Sequence, residues 1–198
     1  TGVIVKFTTD DPDMTHGLRH TSSTDTLTGT NFKWGYYCTQ VAGVNASKQV
    51  QIYMSENVLD AHAFVLGYFM SPVTFETNAI AKAATVADSY ETKTYSEAPS
   101  DADGVMMVVK NTDTATSLGY GQRKLGSTED PYAGVYNGDV VSAFTGMDSS
   151  QQFQVKVSNV AVDHNVIGYA KPPELGAFCQ RLSPLGLNAY GARLVRAG

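Results

Sequence analysis

Residues Gln151 to Pro173 read QQFQVKVSNVAVDHNVIGYAKPP, and this stretch decides the fold class. Phe153, Val155 and Val157 alternate with Gln152, Gln154 and Lys156, the period-two pattern of a strand with one buried face. At Asn159 the apolar parity shifts, and Val160 and Val162 continue on the other register. A one-residue bulge there would point both halves at the same core. Asp163-His164-Asn165 then reads as a turn, Val166 to Ala170 as a returning strand, and Pro172-Pro173 as a stop. The stretch is thus expected to be a hairpin within an antiparallel sheet.

Working outward, Tyr132 to Phe144 offers one or two strands broken at Asn137-Gly138, a dipeptide suited to a tight hairpin turn. Val105 to Lys110 (VMMVVK) is apolar throughout and fits a central strand covered on both faces. Between these lie a turn at Ala98 to Gly104 and a long polar loop from Asn111 to Pro131. Thr85 to Tyr95 alternates loosely. Towards the start, Gly2 to Thr8 is a first strand, Asn31 to Val41 an aromatic-rich second and Lys48 to Met54 a third. The last two are expected to pair across a turn at Val44 to Ser47. Residues 10–29 read as a loop. The windows Glu56–Ser71 and Thr77–Asp88 carry both helical and strand spacings, and one short helix is assigned among them. About eight to ten strands at this spacing close most naturally as an antiparallel β-sandwich of jelly-roll type, with at most one or two short helices. Residues 1–170 form the sandwich, and residues 171–198, punctuated by Pro184, Gly186 and Gly191, form an irregular C-terminal arm.

Composition narrows the function. Only 17% of the 198 residues are charged and 42% are hydrophobic, a profile that excludes a disordered chain. The net charge of −5 is uneven: residues 1–163 hold 10 Lys/Arg against 18 Asp/Glu, whereas residues 164–198 hold four against Glu174 alone. No basic run exists, so direct binding to nucleic acid is not expected. The apolar run Ala61–Met70 is far short of the roughly 20 residues of a membrane helix, and no signal peptide is read at the start. Cys38 and Cys179 stand 141 residues apart and are read either as one long-loop disulfide or as two buried thiols.

Candidate chemistry is sparse. Asp10, Asp11, Asp13, His16 and His20 would offer oxygen and nitrogen ligands to a divalent metal if residues 16–20 were helical. Gly17 and the surrounding Thr and Ser disfavour that helix, so the reading is a solvated loop with no metal and no cofactor. Asp101-Ala102-Asp103-Gly104 opens like a calcium loop, but the twelfth position is Thr112 where a Glu is required, and a plain turn is read instead. No G-x-S-x-G elbow, C-x-x-C pair or phosphate-binding loop is present. His62 and His164 could serve as bases, but a lone histidine in a half-apolar segment or a turn is read as structural. Asn45-Ala46-Ser47 is a glycosylation sequon, meaningful only in a secretory pathway.

Tyr132-Ala133-Gly134-Val135-Tyr136-Asn137 resembles part of the Y-F-K-A-G-x-Y-N signature of jelly-roll alginate lyases. Gln51-Ile52-Tyr53 stands where that family carries Q-I-H, and Val155 to His164 is similar to its closing strand. The chain departs from the pattern at three places: Tyr53 replaces the catalytic histidine, the Lys before the Ala-Gly pair is missing, and no R-x-E-L-R precedes. The resemblance implies a sugar groove lined by Gln51 and Tyr136, with Tyr136 exchanging the proton. A carbohydrate-binding sheet face would add Trp34, Tyr36, Tyr37 and Tyr53 as stacking rings.

The expectation that follows is a non-enzymatic structural protein, most plausibly a capsid, decoration or tail component of a virus or phage particle, located in the virion. Its partners would be further copies of itself and other particle proteins, with no membrane. The arm carries many apolar residues for an irregular segment, and Leu175, Phe178, Leu185, Tyr190 and Arg193 are assigned to subunit contacts. A carbohydrate-binding or carbohydrate-active jelly roll is the alternative, and an adhesion or receptor-binding module a third.

Overall fold

Every regular element among the described residues of the computed structural model is a strand. Those residues are 1–9, 14–30, 36–55, 61–69, 72–113 and 115–171, with Tyr36 described by its backbone alone. The expected arm and all five of its assigned contact residues lie outside them. In chain order the strands are β1 (Gly2–Thr9), β2 (Thr15–His20), β3 (Thr28–Thr30), β4 (Tyr36–Gly43), β5 (Val50–Met54), β6 (His62–Phe69) and β7 (Val73–Ala81). There follow β8 (Glu91–Thr94), β9 (Gly104–Asn111), β10 (Leu118–Lys124), β11 (Ala133–Val135), β12 (Val140–Gly146), β13 (Gln152–Val157) and β14 (Val162–Ala170).

The last eight strands form a jelly roll. β7 pairs with β14, β8 with β13, β9 with β12 and β10 with β11, all antiparallel, so four pairs are nested one inside the next. The β9–β14 and β10–β13 ladders gather them into two four-stranded sheets, β12-β9-β14-β7 and β11-β10-β13-β8. The first six strands repeat the idea on a smaller scale. β1 pairs with β6 and β2 with β5, while β4 joins β1 and β3 joins β2, giving sheets β4-β1-β6 and β3-β2-β5.

Alternation along the strands stacks these four sheets through three apolar layers. Phe153, Val155 and Val157 meet Val105, Met107, Val109, Val162 and Val166 inside the jelly roll. The other face of β9, through Met106 and Val108, packs with Val41 of β4, Phe69 of β6 and Ile4 of β1. The opposite face of β1, with Val3, Val5 and Phe7, packs with Leu18, Cys38 and Ala42. β9 is therefore buried on both sides, as its unbroken apolar sequence requires. Each fully buried Val or Phe contributes about 1.5–3 kcal/mol relative to exposure.

The stretch from Gln151 to Pro173 is strand, connection and strand, but not a hairpin. β13 and β14 belong to opposite sheets of the jelly roll, joined by Ser158–Ala161. The parity shift at Asn159 is thus a crossing between layers rather than a bulge, and Asp163-His164-Asn165 lies within β14. The bulge of this region falls between Val166 and Gly168. Similarly, β4 and β5 pair with β1 and β2 rather than with each other. Asn137-Gly138 turns as read, with Gly138 at φ 67°, yet it joins β11 and β12, which lie in different sheets. Neither ambiguous window is helical where described: they hold β6 and β7, where cross-strand pairing overrides local propensity. The loops expected at residues 10–29 and 111–131 contain β2, β3 and β10. Polar Thr, Arg and Gln there occupy the outward positions of half-exposed strands.

Candidate functional site

Of the proposed metal ligands, Asp10, Asp11 and Asp13 lie outside the described residues. His16 and His20 sit on β2, four positions apart on a strand, which separates them by about 13 Å. A helix would have brought them onto one ligand face; the strand does not. Among the described residues no group of three or more His, Cys, Asp and Glu is arranged to hold a metal ion.

His16 instead enters a sealed polar cluster. Its Nε2 lies 2.9 Å from Cys38 Sγ on β4 and 3.7 Å from Asp139 Oδ1, and its Nδ1 lies 3.3 Å from Gln40 Nε2. With the Gln40 amide donating to Nδ1, the ring proton sits on Nε2, facing the sulfur and the carboxylate. Phe7 stacks on the imidazole at 5.0 Å. His16, Cys38, Gln40 and Asp139 are all buried. Gly29 permits the approach of β3, since a Cβ there would stand 2.4 Å from Asp139 Oδ1. Cysteine, histidine and aspartate together suggest a nucleophile and its base, but the electrostatics oppose it. Burial and then the Asp139 charge push the Cys38 thiol up, and burial pushes His16 down to about 4. A neutral thiol beside a neutral imidazole, closed to solvent, binds three sheets together and attacks nothing.

A groove of about 540 Å³ opens on the outer face of the β2 sheet, lined by Gly17, Arg19, Asp25, Thr28, Gln51 and Tyr53 among others. Gly17 pairs with Thr28 on one side and Tyr53 on the other, so its missing side chain forms the floor. Arg19 is fixed across it, Nε donating to Gln51 Oε1 and Nη1 to the Asp25 carbonyl, both at 2.8 Å. Asp25 is held in turn by the Ala79 N–H at 2.6 Å. Two of the expected sugar-facing residues, Gln51 and Tyr53, therefore share a groove, and Tyr53 is 52% exposed. Tyr136 is not among its lining residues; it follows β11 at the edge of a jelly-roll sheet. The catalytic pairing of Gln51 with Tyr136 that the lyase resemblance implies is not assembled. Trp34 lies outside the described residues, Tyr36 begins β4 opposite Thr9, and Tyr37 is 63% exposed with the Lys6 ammonium 4.4 Å from its ring centre, away from the groove.

A second exposed feature is β6, in the window whose sequence carries both helical and strand spacings. It stands at the edge of its sheet, and among the described residues it pairs with β1 alone. Phe64, Val65, Leu66 and Tyr68 are 51, 68, 38 and 66% exposed. Val65 lies opposite Val5 and Tyr68 opposite Val3, on the face that the β2 sheet covers only in part. No Lys, Arg, Asp, Glu or Pro stands between His62 and Phe69. Edge strands are ordinarily protected by just such residues. The signal that could have found this strand is its absence of charge combined with Phe64, Leu66 and Tyr68 at period two.

No family model matches the chain, and no curated protein or solved structure is significantly similar to it. Among the described residues no helix is long and apolar enough to cross a membrane.

Proposed function

We propose that this chain is a non-enzymatic structural protein that works by assembly, as a capsid, decoration or tail component of a virus or phage particle. The observation that carries this reading is β6: an eight-residue strand with no second partner among the described residues, four exposed large apolar side chains and no charge. Such a strand on a monomer invites pairing with another chain, and an exposed apolar edge of this kind marks an interaction site. The eight-stranded jelly roll agrees with this use but does not select it, because the same frame serves shells and lectins alike.

Light scattering on a sizing column across a concentration series tests the reading. Oligomers that grow with concentration, and that fall back towards 21 kDa in the Val65→Lys/Tyr68→Lys variant, support it. A strict monomer at every concentration overturns it.

Carbohydrate binding is the second reading, favoured by the groove that gathers Arg19, Gln51 and Tyr53. An exposed ring beside fixed polar groups suits a sugar's apolar face and its hydroxyls. Glycan-array binding that is lost in Tyr53→Ala, with the oligomeric state unchanged, would favour it over assembly.

A further inference from the structure

Resting on the assembly reading, we infer that the occupant of the β6 edge is the segment 172–198 of a neighbouring copy, exchanged between subunits as an added strand.

The exit point of the chain supplies the first argument. Ala170, the last residue of β14, pairs with Val73 of β7 on one side and Gly104 of β9 on the other. Val73 follows the end of β6 at Phe69 by four positions, so Ala170, close to the last described residue, stands within reach of that end of β6. Lys171 then leans to the β9 side, its ammonium 2.9 Å from the Asp101 carboxylate. Pro172-Pro173 follows directly, a sequence that favours extended backbone.

Length and pattern supply the second. Twenty-seven residues follow Lys171, enough to span about 90 Å when extended, whereas β6 asks for about 26 Å. After Pro184 the sequence runs LGLNAYGARLVR from Leu185 to Arg196 without another proline. Leu185, Leu187 and Ala189 fall on one face of a strand, and Tyr190, Ala192 and Leu194 on the other. A strand with apolar residues on both faces matches β6, which also exposes apolar residues on both faces.

Charge supplies the third. Residues 172–198 carry three Arg and one Glu, while the first 171 residues carry 11 Lys/Arg against 18 Asp/Glu. A basic segment approaching an acidic body is drawn in, and uncharged β6 sets no like charge against it. Backbone ladders give such strand addition its affinity, and alternate side chains its register.

Cys179 lies within the segment, and Cys38 is buried, so the full-length protein carries its own reporter. Val65→Cys, Leu66→Cys and Tyr68→Cys are each oxidised mildly and resolved without reductant. Covalent dimers and longer ladders are expected that vanish when Cys179→Ser is added, with Val160→Cys, in the exposed turn after β13, as the unlinked control. Hydrogen exchange on the full-length protein gives an independent readout. Outward β6 amides should exchange at least tenfold faster in the triple variant Leu185→Ser, Leu187→Ser, Tyr190→Ser than in the parent. Links that survive Cys179→Ser would identify a second copy's β6 as the occupant and overturn the inference. So would β6 amides exchanging equally fast in parent and variant. If the protein still assembles in either case, assembly stands and only the exchanged strand falls. A Cys179 link confined to single chains in a monomer would overturn both.

Discussion

His16 Nε2 lies 2.9 Å from the sulfur of Cys38, a contact that ties β2 to β4 across the small sandwich. Gln40 and Asp139 join the cluster, and all four residues are buried. Cys38 should therefore be inert in the native state. In the Cys179→Ser background, an aromatic disulfide reagent is expected to titrate no thiol until denaturant is added. His16→Ala removes a buried ring stacked on Phe7 and leaves polar partners unmatched, at a cost of about 2–4 kcal/mol. Cys38→Ala should cost about 1–2 kcal/mol. Urea denaturation midpoints measure both.

Acid should unfold the protein through its histidines before its carboxylates. Burial lowers both His16 and His164 to about 4, against 6.5 for a free imidazole. Below pH 6.5 the unfolded chain takes up protons that the native one refuses, so stability falls as pH drops from 6.5 to 4 and is complete above that window. Each histidine accounts for up to about 3 kcal/mol. Glu91 acts lower down. Burial alone would raise its carboxyl, but the N–H groups of Val86 and Thr85, the Lys93 ammonium and the Thr85 hydroxyl hold it down at about 2. Its contribution is lost only below about pH 4.5. Unfolding free energies at pH 7, 5.5 and 4.5 should show the histidine window, and a flat profile there would contradict it.

His164 is the weaker of the two in hydrogen bonding. It points into the jelly-roll core against the edge of Tyr120, and neither ring nitrogen has a hydrogen-bond partner among the described residues. A buried polar group left unmatched costs about 1–3 kcal/mol. His164→Leu is expected to be neutral or to stabilise by about 1–2 kcal/mol at pH 7, and to remove half of the acid sensitivity. Loss of more than about 2 kcal/mol would show that the imidazole fills a role Leu cannot.

Much of the fold was legible because burial writes itself into period two. Phe153, Val155 and Val157 announced one inner face, and VMMVVK announced a strand covered twice. Pairing was less legible, since alternation reports which face is buried and not which neighbour lies alongside. β4 and β5 follow each other closely in sequence yet lie in different sheets, and only the nesting of β1 with β6 and β2 with β5 explains why. The candidate sites divide in the same way. Gln51 and Tyr53 could be placed on one face of a strand from their spacing. The meeting of His16 with Cys38 and Asp139 joins residues far apart in the chain, a relation no local pattern encodes.

The crossing at Asn159 gives the sharpest test of the architecture. Val157 ends one sheet and Val162 begins the opposite one, both fully buried in the same core. Ser158 is tied to β10 by exchanging bonds with Gly119, its N–H to the Gly119 carbonyl at 2.9 Å and its hydroxyl accepting the Gly119 N–H at 2.8 Å. The Asn159 side chain accepts the Ala161 N–H at 3.0 Å, and its carbonyl accepts the Val162 N–H at 3.1 Å. Packed sheets lie about 10 Å apart, so these four residues have little slack. Were Asn159 a bulge inside a continuous hairpin, deleting it would merely straighten the strand and restore regular pairing. Across a gap between layers, deletion must pull Val162 out of register and turn β14 inside out. The deletion variant is therefore expected to lose at least about 3 kcal/mol or fail to fold, whereas Asn159→Asp, which keeps both acceptors, should stay within about 1 kcal/mol of the parent. Thermal and urea unfolding of the pair decide it, and a deletion as stable as the parent would return the stretch to a hairpin.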